Sequence, residues 1–139
     1  AALELHGGPA IIVDFGTATT LDAVTADREY LGGSISPGIG ISAEALFARA
    51  ARLPRVDVRR PDAVIGRTTV MAMQSGLYFG YVGQVNHLLK LMCEELGGNP
   101  KVILTGGFAP LLAADLPQGA IVAEHLTLHG LRLVHERNT

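Results

Sequence analysis

The chain has 139 residues, 48% of them hydrophobic, with a mean hydropathy of +0.32 and a formal net charge of −2. That length fits one domain with a real core, and the charge leaves no broad basic field for nucleic acid or an anionic membrane. One cysteine, Cys93, excludes an internal disulfide framework and favours a reducing, cytoplasmic setting, while the apolar surplus suggests burial against a second domain or a second copy.

Ala1 to Leu5 reads as the tail of a helix stopped by Gly7-Gly8-Pro9, with neither the basic start nor the long apolar run of a signal peptide. Ala10 to Asp14 is a buried strand, Thr20 to Thr25 a second strand, and Ala26-Asp27-Arg28 the hairpin turn into a third strand, Tyr30 to Ser36, ended by Pro37-Gly38. Ser42 to Leu53 has helical composition and Pro54 stops it. Arg55 to Ile65 is irregular, and Thr68 to Leu96 is a long helix closed by Gly97-Gly98-Asn99-Pro100. Lys101 to Leu104 is a strand, Phe108 to Leu116 a short helix, Ile121-Val122 a short strand and Glu124 to Arg137 the last helix. This order predicts an α/β fold with a mixed sheet, a three-strand meander first and further strands added through helical crossovers.

From Thr68 to Leu89 there is no Asp, Glu, Lys or Arg. A membrane span needs about 20 predominantly apolar residues. Gln74, Ser75, Gln84, Asn86 and His87 interrupt this run, so a buried helix is the better reading. Gly76, Gly80 and Gly83 share one face of it by their spacing. Glycine costs about 1 kcal/mol against alanine in a helix interior. Close helix contact, within the domain or across a two-fold axis, would compensate.

The stretch DFGTATT, residues 14 to 20, places Asp14, Gly16, Thr17, Thr19 and Thr20 at the exit of a buried strand. Glycine lets backbone approach a ligand, successive N–H groups form a nest for anionic oxygens, and threonine adds neutral donors. Asp14 repels phosphate, so its sensible task is to hold a cation or water that faces one. The alternative is a hairpin whose side chains satisfy their own backbone. LTGG, residues 104 to 107, puts Gly106 and Gly107 where a nucleotide often lies at a strand end, or makes an ordinary strand-to-helix turn. GGSISPGIGIS, residues 32 to 42, permits close backbone approach by a ligand or by another chain, or equally is a kinked strand end and helix start. No Walker A loop occurs. His125 and His129 have metal-ligand spacing but no third ligand nearby in sequence, and Cys93 sits on an apolar helix, so surface and core roles are preferred for them.

Taken in order, IIVDFGTATTLD, GGSISPGIGIS, ALFARAARLPRV, IGRTTVMAMQSG, VILTGG and HLTLHGL resemble the second half of a type III pantothenate kinase, from about residue 9 to about residue 131. The resemblance implies an actin-like ATPase (ribonuclease H-like) domain, residues 1–139 being the C-terminal one of two, with the N-terminal domain absent. It implies transfer of the γ-phosphate of ATP to pantothenate, the first step of coenzyme A synthesis, with Mg2+ and a monovalent cation such as K+ or NH4+. Asp14 matches the residue associated with the monovalent cation. Gly16, Thr17 and Thr19 belong to the second phosphate motif, and Gly106 and Gly107 match the adenosine side. Thr69 matches a pantothenate-contacting residue, and the long helix, 68–96, matches the homodimer region.

The family's D-x-G-N-T motif and its G-A-D-R motif, which carries the expected general-base Asp, are not in this sequence. Ala26-Asp27-Arg28 looks similar but follows the DFGTATT turn instead of preceding it, so Asp27 is assigned no catalysis. No catalytic residue is therefore expected in this chain, and no significant activity from it alone. The competing expectations are a non-catalytic interaction or regulatory relative, and another member of the actin-like superfamily such as a sugar or acetate kinase. GGSISPGIGIS and IGRTT disfavour the last of these.

Overall fold

The computed structural model describes residues 1–139. Its elements are α1 (Ala2–His6), β1 (Ala10–Phe15), β2 (Ala18–Val24), β3 (Tyr30–Pro37), α2 (Ile39–Arg49), α3 (Thr69–Leu96), β4 (Lys101–Thr105), α4 (Ala109–Leu112), β5 (Ile121–Val122) and α5 (Leu126–Arg137), with a 3-10 turn at Ala113–Asp115. Five strands form one sheet in the order β3-β2-β1-β4-β5. β1, β2 and β3 are an antiparallel meander, and β4 and β5 join in parallel. The fold is α/β with a mixed sheet, as the element order requires.

β1 lies at the centre of the sheet, and its alternation divides the molecule. Ile11, Val13 and Phe15 face the main core with Tyr78, Tyr81, Val85 and Leu89 of α3. Ala10 belongs to a smaller cluster on the opposite face, with Ala2, Ile103 and Leu126, and Ile12 packs against it. Opposite side-chain directions at successive strand positions produce this division. Burying the β1 and α3 side chains stabilises each by about 1.5–3 kcal/mol relative to exposure. The Thr68 hydroxyl caps α3 by accepting from the Met71 N–H at 3.2 Å, and Gly97, at φ 71, ends the helix. No helix is long and apolar enough to cross a membrane.

Four elements differ from the sequence reading by more than one residue at a boundary. β2 begins at Ala18, because the Gly16 N–H donates to the Ala18 carbonyl at 3.2 Å and leaves only Gly16-Thr17 in the turn. α2 starts at Ile39 and stops at Arg49, not at Ser42 and Leu53. Gly38, extended at ψ 158, starts it, and Arg52, at φ 92, sits in the left-handed region beyond its end. The helix expected over 108–116 is one α-turn and a 3-10 turn, and α5 starts at Leu126 after His125, not at Glu124.

Residues 50–68 have no helix or strand and run along α3. Gln74 Nε2 donates to the Asp57 carbonyl at 3.2 Å, and the Ser75 hydroxyl donates to the Val64 carbonyl. Arg60 Nε and one terminal nitrogen donate to the two Asp115 oxygens at 2.6 and 3.2 Å. The buried Tyr78 hydroxyl donates to the same carboxylate at 2.8 Å. Burial, then the Asp115 carboxylate, pushes the Tyr78 hydroxyl up to about 12. Burial also pushes Tyr81 up to about 12. Arg60, then Tyr78, holds Asp115 below the usual carboxylate range.

These shifts set the pH dependence of stability. A raised folded value means that the tyrosine contribution is fully present below about 10 and is lost as pH climbs toward about 12. The depressed Asp115 value means a contribution present above about 4 that is lost as pH falls below it. Urea midpoints are expected to fall as pH rises from about 10 toward about 12, and a Tyr78→Phe, Tyr81→Phe double variant to show a smaller fall. Parallel curves for the two proteins would show that these hydroxyls do not carry the dependence.

Candidate functional site

β1 and β4 run parallel with Asp14 opposite Thr105, so both strands end at the same edge of the sheet. Two segments about 90 residues apart in the chain therefore meet: the Gly16-Thr17 turn and the Gly106-Gly107 turn. Ligands of open α/β sheets bind outside this carboxyl edge. The edge is assembled by close backbone approach. Gly106 has φ +89, and a Cβ there would lie 2.6 Å from Asp14 Oδ1 and from the Phe15 backbone. Gly38 lies against the first turn, where a Cβ would be 2.3 Å from the Thr17 carbonyl oxygen, and its N–H donates to that oxygen at 3.0 Å. The close approach expected of GGSISPGIGIS is thus made by this chain's own hairpin.

A cleft of about 490 Å³ opens at this edge, lined by Gly16, Thr17, Gly40, Ile41, Glu44 and Gly107, among others. The backbone N–H groups of Thr17 and Gly107 have no acceptor within the chain. α2 begins here with no side-chain cap and no acidic residue in its first turn, and Gly40 and Ile41 of that turn line the cleft. Uncapped first-turn N–H groups at a helix N-terminus favour an anion. Gly40 lies in the GGSISPGIGIS stretch noted for its glycines, whereas nothing in the sequence marks Glu44.

Asp14 opens onto a second cleft, about 550 Å³, on the other face of the sheet, shared with Thr20, Asp22, Thr105, Arg28 and Arg137. No group of the chain donates a hydrogen bond to the Asp14 carboxylate, whereas Asp22 accepts from Thr20 at 3.0 Å and from Tyr30 at 2.8 Å. That bond raises the Tyr30 hydroxyl above its ordinary value. Asp22 went unremarked in the sequence; the period-2 step from Thr20 is the signal that would have found it.

The remaining predicted residues lie elsewhere. Thr19 faces the main core beside Phe15, 0% exposed, with its hydroxyl unpartnered; Thr20, not Thr19, shares the face of Asp14. Thr69, exposed at the first turn of α3, lines neither cleft. Asp27 is exposed in the β2–β3 hairpin. His125 and His129 are exposed, and no three His, Cys, Asp or Glu side chains gather as a metal site. Cys93 packs against the main core, and burial raises its thiol.

The fold and the site define an α/β domain with two glycine-bearing turns at the carboxyl edge of a mixed sheet. The model of the type III pantothenate kinase family matches residues 1–91, and the chain belongs to that family. It is 59% identical over 138 residues to the type III pantothenate kinase of Koribacter versatilis (strain Ellin345), covering 99% of this chain and 50% of that protein. It is 54% identical over 139 residues to that of Moorella thermoacetica, covering 100% of this chain and 55% of that protein. The chain spans about half the length of the curated relatives it matches. Among solved structures it is similar to a Campylobacter jejuni protein described as a conserved Baf family transcriptional activator, with TM-score 0.65 and 25% identity, covering 99% of this chain and 61% of that one.

The glycines give a contrasting pair of substitutions. Gly106→Ala is expected to cost about 1–3 kcal/mol, because alanine must adopt a left-handed conformation against Asp14 and Phe15. A Cβ at Gly107 meets nothing within 4 Å, so Gly107→Ala is expected to stay within about 0.5 kcal/mol of the parent. Urea unfolding of the two variants checks both values.

Proposed function

We propose that this chain is the C-terminal, actin-like ATPase lobe of a pantothenate kinase, a cytoplasmic enzyme that phosphorylates pantothenate with ATP. The single observation that carries the proposal is the cleft where Gly16, Thr17 and Gly107 meet beside the uncapped start of α2. Free N–H groups there suit phosphate oxygens, and bare glycine backbone lets them approach. In this reading Gly16 and Thr17 orient the phosphates, and Gly106 and Gly107 lie along the adenosine side. Thr19 acts by holding the β2 end of the turn, since its side chain points into the core. Thr69 contacts pantothenate.

Asp14 fits a cation. Its carboxylate is free of protein donors, the neighbouring Asp22 carboxylate is taken up by Thr20 and Tyr30, and no three His, Cys, Asp or Glu side chains gather as a metal site. A lone carboxylate suits an ion that takes its other ligands from phosphate and water, as Mg2+ does, or a loosely held K+ or NH4+. Such an ion would supply neutralisation of charge on the transferred phosphoryl group. The residues here bind and orient; none is placed to take a proton from the pantothenate hydroxyl. A general base is worth about 10²- to 10⁴-fold, so turnover requires a partner lobe that carries D-x-G-N-T and G-A-D-R.

The reading is tested by ADP release with ATP, pantothenate, Mg2+ and K+, using this chain alone and mixed with the N-terminal half of the Koribacter versatilis kinase. Turnover only in the mixture supports it. Silence of the mixture, with both halves folded and associated, overturns it in favour of a non-catalytic regulatory relative. The likeness to the Baf family protein is the observation that favours that second reading.

We also propose a homodimer through α3. A Cβ at Gly76, Gly80 or Gly83 meets nothing within 4 Å, so no other part of the chain packs closely on these positions. Gly83→Arg is expected to shift sedimentation from dimer to monomer and, at dilutions where the parent is also monomeric, to leave the unfolding midpoint equal or higher, because arginine favours helix by about 1 kcal/mol. An unchanged dimer would remove α3 from the interface.

A further inference from the structure

The irregular segment 50–68 leads directly into Thr68-Thr69, and its course along α3 depends on few polar contacts. Gly66 lies on the first turn of α3, where a Cβ would be 2.2 Å from the Ala72 nitrogen. Val64 accepts from Ser75, and Asp57 accepts from Gln74, both in the second turn of the helix. Two arginines of the segment make side-chain tethers: Arg55 pairs with Glu44 of α2 at 3.0 Å, where both side chains are exposed, and Arg60 pairs with Asp115, which belongs to neither the segment nor α3.

Asp115 ends the 3-10 turn that follows α4, and α4 follows Gly106-Gly107 directly. Three elements converge on it. Its carboxylate accepts from Arg60 of the segment through two nitrogens and from Tyr78 of α3, and its carbonyl accepts from Asn86 of α3 at 3.0 Å. The Tyr78 hydroxyl also lies 3.1 Å from the Leu111 carbonyl of α4, which it approaches as a second acceptor. An isolated surface ion pair contributes little. This one differs because the guanidinium is held in a two-pronged geometry, the Asp115 side chain is only 26% exposed, and its third partner is fully buried. Arg60 also lies 5.8 Å from the Phe79 ring centroid.

We propose that Arg60 and Asp115 are positioning residues that fasten segment 50–68 to α3 and α4, and so set the place of Thr69 relative to the Gly106-Gly107 turn. The meaning of Thr69 and of that turn rests on the kinase reading above. The fastening itself does not. Loss of the pair releases the segment while the sheet stays intact, because neither side chain belongs to the main core.

Amide hydrogen exchange on this chain tests the fastening. In Arg60→Ala and in Asp115→Asn, amides of residues 54–66 are expected to exchange about tenfold faster, with β1 and β4 amides unchanged. Arg60→Lys, which keeps the charge and loses the fork, is expected to fall between the parent and Arg60→Ala. Unchanged exchange at 54–66, or an equal rise throughout the sheet, overturns the proposal. In the complemented kinase, Arg60→Ala is expected to raise KM for pantothenate about fivefold with kcat and KM for ATP held. An equal rise in both KM values overturns the positioning of Thr69. If the parent mixture shows no turnover, the kinase reading fails, and the exchange result alone decides for or against the fastening.

Discussion

Two missing Cβ atoms hold the site together. Gly106 lets the β4–α4 turn press against Asp14 and Phe15, and Gly38 lets the start of α2 press against the carbonyls of Gly16 and Thr17. Each contact is backbone against backbone, closer than any side chain would permit. Together they bring the β4–α4 turn and the start of α2 to the end of β1. The cleft between them is lined by Gly16, Gly40 and Gly107 together with Phe15, Thr17, Ile41, Glu44 and Phe108, and the glycines are where backbone is bared to it.

The scaffold behind this edge explains why the backbone stays in place. β1 is flanked by β2 and β4, and its odd-numbered residues are buried against α3. One polar group is enclosed there without a partner, the hydroxyl of Thr19, and the buried Tyr81 hydroxyl has only the Ile39 backbone beside it. Leaving such a group unpaired costs about 1–3 kcal/mol. Both sit close to the site: Thr19 is paired with Phe15 at the hairpin turn, and the Tyr81 ring packs 6.2 Å from that of Phe15. Apolar burial around Phe15 offsets the cost, which falls where the turn is held.

The sequence made the elements legible because their signals are local. The apolar run over residues 10–13, glycine-proline stops and an uncharged run up to Leu89 are visible without tertiary knowledge. The face of each threonine was harder. Thr19 and Thr20 are equivalent in composition, and only the pairing of Phe15 with Thr19 sends one into the core and the other toward Asp14. The end of α2 was misjudged because Pro54 was read as the stop, whereas Arg52 already lies in the left-handed region. The Arg60–Asp115 pair was not legible at all. Its partners are 55 residues apart, and nothing in the charge pattern of Arg55 to Ile65 distinguishes Arg60 from Arg59.

The sheet also divides the work of its two faces. The α3 face is packed by large side chains, while the α1–α5 face keeps polar groups at its end: Asp14, Thr20, Asp22 and Thr105. Of the two carboxylates, Asp22 is occupied by Thr20 and Tyr30, and Asp14 has no donor. A charged group left free beside two glycine turns is unfavourable for folding alone, since a threonine or an asparagine there could bond the nearby backbone without the charge. A free carboxylate makes physical sense at a position that meets an opposite charge from outside the chain.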